Sequence, residues 1–65
     1  MSFEELLDRL SKMKPGDTLW IKGDLLKTMM EVRGRNYGVL GSALYSADVE
    51  MSNLGEIVHF YRRER

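Results

Sequence analysis

Turn-forming and capping residues cut this chain of 65 residues into short pieces, and their order constrains the fold more than any other feature. Ser2 opens an amphipathic stretch that Pro15-Gly16 closes. Thr18-Leu19-Trp20-Ile21 follows as a β-type run and gives way to Gly23-Asp24. Two further helical stretches are separated by Arg33-Gly34-Arg35, and an Asn/Gly-bearing hairpin with an arginine-rich end completes the sequence. The pieces read as helix, short strand, helix, tight turn, helix and hairpin. That is an α+β arrangement in a single domain covering residues 1–65.

Each piece has local physical grounds. Ser2-Phe3-Glu4-Glu5 forms a capping box, in which the Ser2 hydroxyl takes the Glu5 amide and the Glu5 carboxylate reaches back. Phe3, Leu6, Leu7, Leu10 and Met13 then recur at helical spacing and make one apolar face. Thr18 to Ile21 is β-branched and aromatic, which favours a strand. Gly23-Asp24 offers an N-cap. Leu25, Leu26, Met29, Met30 and Val32 form the next helical face, with Gly34 as its left-handed cap. Asn36 caps the third helix, whose inner stripe is Tyr37, Leu40, Ala43, Leu44 and Ala47. Gly38 and Gly41 each cost about 1 kcal/mol in a helix interior. Either something approaches them closely, or that element is not a helix. Two strands are expected over residues 49–51 and 56–62, joined through Asn53 and Gly55, which tolerate positive φ. Val58 and Phe60 alternate with Ile57, His59 and Tyr61 and face the core.

Size and charge narrow the function. A chain this short buries only about 60% of its unfolded surface. Its lack of cysteine removes disulfides and thiolate metal sites, so helix packing or oligomerisation must supply stability. No apolar run approaches a membrane span, and the acidic, amphipathic start is unlike a secretory signal, so the expected location is cytoplasmic. Ten acids balance ten bases, which argues against strong non-specific nucleic-acid binding. The charges are segregated, however: residues 22–47 carry a net +2, residues 48–61 a net −3 and residues 62–65 a net +2.

The order of elements resembles the winged helix-turn-helix superfamily over nearly the whole chain. Asn36 and the run Tyr37-Gly38-Val39-Leu40-Gly41-Ser42-Ala43-Leu44 are similar to the third-helix region of small phage-type winged-helix proteins, where an Asn, an aromatic and a Gly open that helix. Gly41 departs from the pattern. The resemblance implies a small winged helix-turn-helix and a third helix that faces nucleic acid in an accessory protein.

With Leu40 turned inward, Arg35, Gly38, Ser42, Tyr45 and Ser46 point away from the core. Small outward residues let a helix enter a groove about 12 Å wide. Ser42, Tyr45 and Ser46 can donate to phosphates or bases, and Arg33, Arg35 and Asn36 can join them as readers. Lys22 and Lys27, with Arg33, surround the second helix and suit phosphates, as do Arg62 and Arg63 at the C-terminus. The acids Asp48, Glu50 and Glu56 would repel a polyanion, which leaves Asn53 and Ser52 as the hairpin's only backbone contacts. Ile57, His59 and Tyr61, joined by Tyr45 or Trp20, form an amphipathic patch suited to an interface, and a homodimer is expected. Enzyme chemistry finds no support: there is one His, no Cys and no phosphate-loop ending after Gly34, Gly38 and Gly41. No metal and no cofactor are expected. The resulting expectation is a small non-enzymatic protein that binds double-stranded DNA in a transcriptional or replication accessory role. The alternative is a winged-helix interaction module or inhibitor of a larger protein partner.

Overall fold

The computed structural model describes residues 1–32 and 37–64. Its elements are α1 (Phe3–Ser11), β1 (Thr18–Lys22), α2 (Gly23–Val32), α3 (Tyr37–Ala47), β2 (Glu50–Asn53) and β3 (Ile57–Tyr61). The three strands make one antiparallel sheet in the order β1-β3-β2, so the last strand lies in the middle. This is a small α+β fold in which α2 packs on β1 and β3, α3 packs on β2, and α1 packs on α3.

Alternation along β3 decides which side is inside. Val58 and Phe60 are buried, and their register partners Ile21 and Leu19 on β1 turn the same way. Phe3, Leu6, Leu10 and Met13 close over them from α1 and its exit. Leu26, Met29 and Met30 add the α2 face, while Leu40 anchors α3 and Val49 seals its end. The expected inner faces of the first two helices are therefore present, except that Leu25 is exposed. The Val32 side chain, Gly34 and Asn36, assigned above to a face and two caps, lie outside the described residues.

Local chemistry explains the element ends, and several differ from expectation. Ser2 Oγ accepts from the Glu5 amide at 3.1 Å, half of the expected capping box. The Glu5 carboxylate instead takes Arg9 Nη2 at 3.3 Å. Helix α1 ends at Ser11, before Pro15, with Lys12 as its C-cap. Pro15-Gly16 belongs to the turn into β1, where the Lys14 amide donates to Asp17 Oδ2 at 2.9 Å. Helix α2 starts at Gly23 itself, so Asp24 sits in the first turn and suits the dipole there instead of capping it. Gly23 is required by packing. Its amide donates to Glu56 O at 2.8 Å, and a Cβ would collide with the Gly55 carbonyl.

Helix α3 ends in a Schellman motif. The Val49 amide donates to Leu44 O at 2.9 Å and the Asp48 amide to Tyr45 O at 3.2 Å, with Asp48 left-handed at φ 59°. Buried Val49 and half-buried Leu44 supply the accompanying apolar contact. In the hairpin Gly55 takes positive φ, at 90°, and Asn53 does not. Tyr37 is 60% exposed and leaves the inner stripe to Leu40, Ala43, Leu44 and Ala47. It opens α3 at the mouth of a cleft, beyond the reach of the packed core.

The helical glycines have a testable consequence. A Cβ at Gly38 or Gly41 would find no other atom within 4 Å, so nothing in the described chain demands glycine there. Gly41→Ala is expected to stabilise the fold by about 1 kcal/mol, raising Tm by about 4–8 °C in a circular-dichroism melt. A lowered Tm would mean that something occupies this face.

Candidate functional site

Helix α3 presents an outer face of uncommon composition. None of its 11 residues is charged. Leu40, Leu44, Ala43 and Ala47 take the inner side, which sends Gly38, Gly41, Ser42, Tyr45 and Ser46 outward. Tyr45 stands 90% exposed among these small neighbours. The helix is about 16 Å long, and its outer backbone is open to approach along that length.

Beside the start of α3 lies a cleft of about 320 Å³ between α2 and the β2–β3 hairpin. Buried Leu26, Met30, Leu40 and Val58 contribute its apolar lining, while exposed Asp24, Lys27, Tyr37 and Asn53 supply polar atoms. The fold thus brings Lys27 and Asn53, two of the sequence-assigned binding residues, to one opening. Asn53 is held in place because its Oδ1 accepts from the Gly55 amide at 3.0 Å.

Three other assigned cations lie elsewhere. Lys22 is opposite Ile57 in the β1–β3 register, on the sheet face away from the core, and shares a shallow hollow with Asp24 and Glu56. Arg62 is half-buried and donates from Nη1 to Met13 O at 2.7 Å, tying the C-terminal segment to the exit of α1. Arg63 pairs with Glu50, with Nη2 and Oε1 at 3.1 Å. Arg62 therefore serves the fold, and Arg63 offsets one of the hairpin's acids. Arg33, Arg35 and Asn36 lie outside the described residues.

The outer sheet face carries the second cluster. The Gly23–Glu56 bond at one end and the Gly16–Arg62 and Arg62–Asp17 bonds at the other fix the phase of the β1–β3 ladder. Alternation between them makes Trp20↔His59 a non-hydrogen-bonded pair, the kind whose side chains come closest. The two rings stack at 3.8 Å and 7°, and Tyr61 tilts against His59 at 4.9 Å. Trp20 remains 56% exposed, whereas Ile57, His59 and Tyr61 are half-buried. His59 Nε2 is buried and has no hydrogen-bond partner among the described residues. The assigned interface residues do share one surface. Trp20 is its most exposed member, and only the strand register, which a sequence does not display, identifies its partner.

Among the described residues no group of three or more His, Asp or Glu side chains could hold a metal ion, and no helix is long and apolar enough to cross a membrane. No protein-family model matches the chain, and neither do curated proteins or solved structures.

Proposed function

We propose that this protein is a winged helix-turn-helix that binds double-stranded DNA by laying α3 in the major groove, in an accessory or regulatory role in transcription or replication. The sheet order β1-β3-β2, with the hairpin following α3, supports this architecture. The observation that carries the functional reading is the outer face of α3: free of acids, with Gly38, Gly41, Ser42 and Ser46 beside exposed Val39 and Tyr45, and open beyond Gly38 and Gly41. Such a face lets the helix backbone approach base edges, with Ser42, Tyr45 and Ser46 as donors. Lys27 stands at the adjoining cleft, and Arg33, Arg35 and Asn36 precede α3 in the sequence. The hairpin offers Asn53 but no cation, since its exposed Glu56 is acidic and the Arg63 beyond it is taken by Glu50.

The expected affinity is modest because few cations converge. With Lys27, Arg33 and Arg35 on phosphates, log K should fall against log salt with a slope of about −2.7. Fluorescence anisotropy on a mixed-sequence duplex over a salt series measures this. Absence of binding at low salt removes the proposal.

The same helix supports one other reading. An uncharged face with an exposed Tyr also suits a protein partner, as Tyr is favoured at interfaces. Two of the three C-terminal arginines are engaged within the chain, which also favours this reading. A chain that ignores DNA at every salt concentration would then act as an interaction module or inhibitor through α3.

A further inference from the structure

The β1–β3 ladder leaves a row of backbone groups with nothing to bond. Because Thr18, Trp20 and Lys22 occupy its non-hydrogen-bonded positions, their N–H and C=O groups point away from β3. Strand β1 is at the sheet's edge, and among the described residues no turn, loop or cap hydrogen bond engages Thr18 or Trp20 on that side, whereas the Lys22 carbonyl begins the hydrogen-bond ladder of α2. The strand holds no Pro, and its only charge is Lys22, at the end. Natural edges are usually guarded by bulges, prolines or central charges. This one has an exposed tryptophan at its midpoint.

We propose that β1 pairs antiparallel with β1 of a second copy about a two-fold axis at Trp20, making a continuous six-stranded sheet. This inference stands apart from the nucleic-acid reading. The strand spans residues 18–22, so a two-fold at residue 20 matches Thr18 with Lys22 of the other chain and Trp20 with Trp20. All the unpaired edge groups then find partners. Charge selects a second copy in this orientation. Each Lys22 then faces an uncharged Thr18. A parallel pairing in register would set Lys22 against Lys22. On the outer face the stacks of His59 on Trp20 meet across the axis and form one aromatic ladder. A chain this small without disulfides gains most from such a partner.

The test uses the whole chain. Light scattering on concentrated protein should give twice the 7.6 kDa of one chain. Amide hydrogen exchange by NMR, which needs no substitution, should show Thr18, Trp20 and Lys22 as slow as Leu19 and Ile21. In a monomer the first three exchange freely while the other two stay protected. Trp20→Lys and Trp20→Glu should each be monomeric, because the axis opposes like charges, and an equimolar mixture should regain the dimer mass. A wild-type monomer, fast exchange at the three amides, or a dimer mass in either single variant overturns the proposal.

Discussion

Phe60→Ala is expected to remove about a third or more of the fold's stability, enough to unfold the chain at the lower end of the range for a domain of this size. Phe60 is fully buried in the middle of the central strand, opposite Leu19 on one side and Met51 on the other. Truncating a buried Phe costs about 3–5 kcal/mol, from lost transfer energy and from the cavity left behind. A domain of this size has a total stability of about 3–10 kcal/mol, given 0.05–0.15 kcal/mol per residue. The cavity would open in the one core cluster, where Leu6 and Leu10 of α1 are also fully buried and cannot move without losing other contacts. Phe60→Leu keeps most of the volume and should cost about 1 kcal/mol. Urea titration followed by far-UV circular dichroism separates the two. An unchanged midpoint for Phe60→Ala would mean that the sheet is not packed through its middle strand.

The parts of this fold legible in the sequence are those written in short-range periodicity. Phe3, Leu6, Leu10 and Met13 recur at helical spacing and are all buried, and Val58 and Phe60 alternate and are buried. Both patterns depend only on which face meets the core. What was not legible depends on contacts between distant segments. Gly23 looked like part of a cap, but its lack of a side chain answers to the hairpin backbone at Gly55. Arg62 looked like a phosphate ligand until the fold brought it to Met13, 49 residues earlier in the chain. Asp48 gave no sign of a left-handed cap, because Gly or Asn is the usual occupant. Tyr37 has the right spacing to be internal, yet it is 60% exposed in the first turn of α3. The outward set Gly38, Ser42, Tyr45 and Ser46 followed from one reference residue, Leu40, and lies where that residue implies. The cations intended to accompany it scatter, because the fold carries Lys22 to the outer sheet and turns Arg62 inward.

A charge series at Ser42 should shift DNA affinity in one direction at constant fold. Ser42 is exposed in mid-helix, so Glu, Gln and Lys should each leave stability within about 0.5 kcal/mol. If α3 lies in the groove, Ser42→Glu brings a carboxylate to a polyanion in a partly desolvated setting and should weaken binding at least about tenfold. Ser42→Lys adds a cation there and should tighten binding while making the salt slope steeper by about 0.9. Ser42→Gln, similar in size and uncharged, should fall between them. The order separates the two readings of this helix. A groove responds to the sign of the charge, whereas an uncharged protein surface packed against Gly38, Ser42 and Ser46 loses contact with any long side chain, whatever its charge. Equal weakening by Glu, Gln and Lys would therefore assign α3 to a protein partner. Affinity unaffected by all three would remove α3 from the interface.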